Sequence, residues 1–214
     1  MEGPSAVVGI DVGGLRKGFH AVALRQERIV GTCASKDAGT VAEWCENIDA
    51  QAIGIDAPCR WSATGRARQA ERMLAAKGIF AFATPSREKA GSREFYRWML
   101  NGADLYRHLE RRYRLFDGHN RQAPGLVCFE TFPHAVACVL AGTIVSAKSK
   151  RSIRRGLLRE AGIDTSRLSN IDMIDAALCA LTANYFLAGQ ITTYGDASEG
   201  VIVVPDPSSA RSVS

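Results

Sequence analysis

Three features of the sequence predict a mixed α/β fold built on one sheet. Short β-rich runs crowd the first third, helical periodicities dominate from residue 59 onward, and isolated apolar runs return late in the chain. Residues 6–12 (AVVGIDV) are an apolar run that the following glycines turn. Residues 19–24 and 28–33 are β-rich and joined by the polar Arg25-Gln26-Glu27, which predicts a hairpin. Val41, Trp44, Cys45 and Ile48 recur at i, i+3, i+4 and i+7, the signature of one amphipathic helix. Residues 52–56 (AIGID) predict a short buried strand closed by Pro58, which has no N–H to give a ladder.

Residues 59–124 change character. Helices are predicted over 66–77 and 92–115, the second with Phe95, Met99, Tyr106, Leu109 and Tyr113 on one stripe, and the irregular AFATPSREKAGS lies between them. This stretch is arginine-rich and thin in apolar residues. It therefore reads as a helical insertion on the main sheet, after the fourth strand, and not as a separate domain. A strand over 126–130 (LVCFE) leads into a helix. A basic helix over roughly 148–161 ends at Gly162, a C-cap glycine, and a last helix spans about 170–188 before Gly189. A final strand at 201–204 completes one domain over residues 1–205, with 206–214 expected to be a flexible tail.

The chain has 214 residues, 46% hydrophobic and 23% charged, which excludes intrinsic disorder, collagen and coiled coil. A net charge of +5 is compatible with a polyanionic partner. The six cysteines form no CxxC pair, so a zinc cluster or a disulfide scaffold is not expected, and reduced thiols fit a cytoplasmic protein. The N-terminus lacks the basic start and apolar core of a signal peptide. The longest uncharged stretch, 176–195, carries too many polar residues to span a membrane. Nothing in the sequence sets an oligomeric state.

Acidic residues fall at or near the ends of three strands: Asp11 in VGIDVGG, Asp56 in AIGIDAP and Glu130 in VCFETFP. A carboxylate in an apolar strand is costly unless paired, hydrogen-bonded or bound to metal. One such residue reads as a loop cap. Three on neighbouring strands can share hard divalent cations such as Mg2+ or Mn2+. The last helix adds Asp172 and Asp175, about 60° apart on a helical wheel and at the border between core and solvent. Asp172 also has a capping reading, as the partner of Ser169 in SNID.

With GIDAP, FETFPHAV, IDMIDAALCALTA, ARQAERML, ATPSR, FYRWMLNGADLYRHL and KSKRSIRRGLLREAGI, the chain resembles the domain of unknown function 429 family from about residue 6 to residue 205. That family is described as predicted nucleases of ribonuclease H-like fold, and the order of elements above is also that of such a fold. The DxxDA helix is similar to the last catalytic helix of RuvC-type resolvases, where paired aspartates complete a metal site. The resemblance implies Asp11, Asp56 and Asp175 as metal ligands, with Glu130 and Asp172 as further ligands or neighbours of the ligands. It implies hydrolysis of phosphodiester bonds by two Mg2+ or Mn2+ ions about 4 Å apart. His134 reads as a structural histidine at a helix start, with orientation of water as the alternative.

Lys148, Lys150, Arg151, Arg154, Arg155 and Arg159 crowd one helix and its entry, with Ile153, Leu157 and Leu158 as its buried side. Most of these charges are therefore expected to face out, as a solvated face or as a nucleic-acid surface. Trp61, Phe80, Phe82 and Trp98 are stacking candidates or core residues. Two other functions compete. GIDVGG resembles the first phosphate loop of actin-like and sugar-kinase ATPases, but the chain has room for one half only and no second DxGG. A non-catalytic nucleic-acid or protein-binding module of the same fold is the other rival.

Overall fold

β1 (Ala6–Val12) is buried along its whole length, as an inner strand of the sheet. The computed structural model describes residues 5–119, 125–206 and 208, so the expected tail lies almost wholly outside the described residues. β2 (Phe19–Arg25) and β3 (Arg28–Ser35) follow as the predicted hairpin, turned at Gln26 with φ +53°. Helix α1 (Ala38–Asn47) starts on an Asp37 cap and leads to β4 (Ala50–Asp56). Then come α2 (Gln69–Ala75), α3 (Arg87–Gly91), α4 (Arg97–Leu109), the two-residue β5 (Arg114–Leu115) and β6 (Val127–Thr131). Helices α5 (Pro133–Ala141), α6 (Lys150–Glu160) and α7 (Ile171–Leu187) precede the closing hairpin of β7 (Ile191–Asp196) and β8 (Gly200–Pro205).

The strands pair in the order β3-β2-β1-β4-β6-β8-β7, with β5 also on β6. β1, β2 and β3 are antiparallel, whereas β4 runs parallel to β1, β6 to β4 and β8 to β6. An antiparallel meander joined at its first strand to parallel strands is the ribonuclease H-like arrangement, with flanking helices and a helical insertion after β4.

Helix α7 covers one face of the sheet, packing Ile174, Leu178 and Leu181 on Val7, Val22, Ala52 and Phe129. It lies close because two glycines face it: a Cβ on Gly9 would stand 2.0 Å from the Ala176 carbonyl oxygen, and one on Gly54 2.6 Å from that of Cys179. On the opposite face, Val8, Ile10, Ile53 and Ile55 pack with α1 and with Leu105, Tyr106 and Leu109 of α4. The insertion lies against the main sheet, and α2 buries Ala70 and Leu74 on Tyr194, Ile202 and Val204.

Several expectations are corrected. Residues 92–115 are not one helix: α4 stops at Leu109, and Arg114 and Phe116 turn their N–H groups to the carbonyls of Leu126 and Cys128. The helix expected over 66–77 begins only at Gln69, because Arg68 is in extended backbone and donates its N–H to the Glu71 carboxylate. Phe95 lies outside the buried stripe, 58% exposed. The α7 cap is Asn170, whose side chain accepts from the Met173 N–H, and not Ser169. Strand β7 was not anticipated: its Thr192 and Thr193 read only as polar interruptions.

Candidate metal centre

The strand register brings acidic side chains together. Asp11 stands beside Asp56 on the parallel neighbour β4, and beside His20 on the antiparallel neighbour β2. Side chains alternate faces along a strand. Because Gly9 faces α7, so does Asp11, and Asp56 shares that face with Gly54. The start of α7, with Asp172 in its first turn and Asp175 in the next, lies over these strand ends. A helix N-terminus adds its own positive potential there.

Ligand atoms of Asp11, His20 and Asp172 all lie within 4.8 Å of one another. Two carboxylates and an imidazole make a donor set suited to a hard or borderline divalent cation. One nitrogen of the imidazole, Nδ1, is buried and has no hydrogen-bond partner among the described residues, as expected of a group whose partner would be an ion or water. His20 is the residue that the sequence reading missed. Its signal was available: closing the first hairpin from Val12 and Phe19 inward pairs Asp11 with His20.

Charge neutralisation is uneven across the cluster. Lys17, in the β1–β2 turn, donates to Asp172 at 2.9 and 3.2 Å, and this contact raises the lysine pKa. Asp175 is buried and ion-paired with Arg154 of α6; burial raises its carboxyl, while the guanidinium opposes the rise. Asp11 and Asp56 make no ion pair of their own among the described residues. Burial, then repulsion from Asp175 and Asp172, pushes Asp11 up to about 7. Burial, then repulsion from Asp11 and Asp175, lifts Asp56 well above the usual carboxylate range. Two carboxyls thus lack a counter-charge, and burial with mutual repulsion raises both above the ordinary carboxylate range.

Asp11, Asp56, Asp172 and Asp175 therefore gather at one end of the sheet, but the mutually close set is Asp11, His20 and Asp172. Glu130 stands apart. It pairs in register with Ile55, not Asp56, and so points to the opposite face. There its oxygens accept from Arg68 at 2.5 and 2.9 Å and from the Cys59 N–H at 2.9 Å. A place for Glu130 beside the ions is thus corrected by strand parity. His134 lies half-buried near Cys138, its pKa lowered by burial and by the charge of Arg154.

The basic helix is also corrected in part. Arg154 is buried rather than solvated, because it shares the inward stripe of α6 with Leu157 and Leu158. Arg155 and Arg151 donate to the carbonyls of Leu168 and Ser169 at 2.5 and 2.9 Å, which ties α6 to the loop before α7. Lys148, Lys150 and Arg151 remain exposed.

All six cysteines are free thiols, and among the described residues no helix is long and apolar enough to cross a membrane. No curated protein matches the chain. Among solved structures it is similar to the "Thermus thermophilus RuvC structure", at 20% identity over 86% of this chain and 95% of that one, with a TM-score of 0.46. The family described as "Protein of unknown function (DUF429)" matches residues 9–199, nearly the whole of the sheet and both its helical layers, and the chain belongs to that family.

Proposed function

We propose that the protein is a metal-dependent phosphodiesterase acting on nucleic acid, a nuclease of the cytoplasm that uses Mg2+ or Mn2+. The observation that carries this reading is the gathering of four aspartates and His20 at one end of the sheet, two of those carboxylates without a counter-charge. Asp11, His20 and Asp172 would hold one divalent ion, with Asp56 and Asp175 as candidate ligands for a second. Bound ions would supply a water of lowered pKa and neutralise charge on the leaving oxygen. Asp11 and Asp56, adjacent in parallel register, present anionic oxygens from a rigid sheet. Lys17 and Arg154 hold the α7 carboxylates in place, which limits reorganisation when phosphate arrives. Lys148, in the turn before α6, with Lys150 and Arg151 at the start of α6, offer positive charge for the phosphate backbone. The six free thiols support a reducing compartment.

One observation favours the rival of a non-catalytic binding module. Arg154 places a guanidinium on Asp175, so part of the cluster already carries its own cation. Calorimetric titration with Mn2+, together with hydrolysis of labelled single-stranded, duplex and junction oligonucleotides, separates the two. The nuclease reading expects metal binding and metal-dependent cleavage, both lost in Asp11→Asn and Asp172→Asn. Metal binding without cleavage of any oligonucleotide favours the module; absence of metal binding overturns the proposal.

A further inference from the structure

The segment joining α2 to α4 carries an aromatic ridge in water. Phe80, Phe82 and Phe95 are 74%, 65% and 58% exposed. Single exposed apolar residues are ordinary, but contiguous aromatic groups mark a contact surface. Here the rings touch: Phe82 meets Phe95 edge to face at 5.4 Å, and Phe95 meets Tyr96 in the same way at 5.0 Å. Edge-to-face packing fixes the rings while leaving faces open to solvent.

The ridge borders a cavity of about 50 Å3 whose walls include Phe82, Trp98, Phe132 and Pro58, and whose lining also includes Asp56. The aromatic wall thus reaches the end of β4 at Asp56, while Asp11, His20 and Asp172 lie beyond it on the α7 side of the sheet. The floor of that cavity is polar but internally satisfied. Arg68 binds Glu71 and Glu130, and Glu71 also accepts from the Thr84 N–H and hydroxyl. The floor's two carboxylates outnumber its single guanidinium, but each is hydrogen-bonded, and the floor is held rigid by its own hydrogen bonds. The same segment also carries positive charge: Arg87 and Arg93 are exposed and form no ion pair among the described residues, and Arg97 is half-exposed beside Glu94.

From this juxtaposition we propose that the ridge is a stacking platform for unpaired bases, which makes single-stranded nucleic acid the substrate class of the adjoining acidic centre. The inference rests on the nuclease reading for its substrate but has its own chemistry. Open phenyl faces stack on bases of any sequence, and only bases that are not paired in a duplex can lie flat on them. Arg87 and Arg93 then meet the phosphates that flank a stacked base, and the strand continues past Phe82 toward Asp56. DNA and RNA share this chemistry, so the two sugars are separate arms of the test.

The test is equilibrium binding without divalent metal, so that no strand is cut. Fluorescent oligonucleotides are used as single-stranded DNA, single-stranded RNA, a duplex, and an abasic single strand with the same number of phosphates. Wild-type protein is compared with the Phe82→Ala/Phe95→Ala double variant, with Phe82→Trp, and with Asp11→Asn. The base-bearing single strands should bind about tenfold more tightly than the abasic one, the scale of one stacked base. The double variant should lose that preference at an unchanged melting temperature, since both rings are exposed, and Phe82→Trp should keep it. Equal affinity for base-bearing and abasic strands, tighter binding of the duplex, or a preference that survives in the double variant would each overturn the proposal. So would a double variant that instead loses self-association, which would make the ridge a protein interface. Asp11→Asn should keep the base preference. If the metal reading fails and this preference stands, the platform survives without the nuclease.

Discussion

Replacing Asp11 by asparagine should stabilise the metal-free protein at neutral pH. The wild-type carboxyl is raised from 3.8 to about 7, chiefly by burial and then by its acidic neighbours. The folded chain therefore holds this proton more tightly than the unfolded chain. Stability falls as pH rises from about 4 to about 7 and is regained on acidification. At about 1.4 kcal/mol for each tenfold change, the cost at neutral pH is about 4 kcal/mol. An asparagine carries no charge but still needs partners for a buried amide, worth about 1–3 kcal/mol. The net gain is about 2 kcal/mol. In a chain of this length that is a rise of about 4–8 °C in melting temperature.

The assay is thermal melting of both proteins in chelator, at about pH 8, above the window between the two pKa values, and at about pH 5, inside it. The advantage of Asp11→Asn should be largest at the higher pH and should vanish or reverse at the lower one. Adding millimolar Mg2+ or Mn2+ should raise the wild-type melting temperature, by mass action on the folded state, and leave Asp11→Asn nearly unmoved. A variant that melts below wild type at both pH values would refute the charge argument, because it would mean that the carboxylate stabilises the folded chain.

Arg154→Met should lower stability by about 3–5 kcal/mol near neutral pH, since it strands the buried Asp175 carboxylate, and divalent metal should restore part of the loss in a melting experiment. Glu130→Gln should be similarly destabilising, because it weakens the buried pairing with Arg68, yet its metal-induced melting shift should equal that of wild type; a lost shift would return Glu130 to the ligand set. Replacing Lys148, Lys150 and Arg151 by alanine should flatten the salt dependence of single-strand binding by about 2 in log–log slope, at about 0.7 per phosphate contact, and equal slopes would mean that this face does not track a backbone.

Strands with their own apolar run were legible: β1, β2, β3, β4, β6 and β8 fall within two residues of their expected bounds. What stayed hidden was parity. The strand VCFET is buried on both faces, so no hydrophobic alternation shows which way Glu130 points. Only its register against Ile55 decides, and that register depends on the long insertion between β4 and β6. Arg154 was hidden for a related reason. The sequence placed Ile153 on the inward side of α6, and the stripe is in fact centred one residue later, where a buried arginine needs a buried acid on another helix. No local pattern carries that information. His20 was readable, because a tight hairpin transmits register directly from strand to strand.

The uneven neutralisation of the cluster has a consequence for how metal and fold depend on each other. Asp172 and Asp175 sit on α7 and are held by Lys17 of the β1–β2 turn and Arg154 of α6, so the helix has counter-charges from its neighbours and needs no ion to stay docked. Asp11 and Asp56 sit on the two central strands, fixed by ladder hydrogen bonds and by packing on both faces. They cannot move apart to relieve their repulsion, and protonation is what remains to them in the absence of a cation. A divalent ion bound there would meet a preformed site and would displace protons rather than reorganise backbone. Binding should therefore release protons, strengthen with rising pH through the range where Asp11 titrates, and leave the sheet unchanged. Lys17, more than half exposed on a glycine turn, is the internal cation best able to swing away from Asp172 as the ion enters.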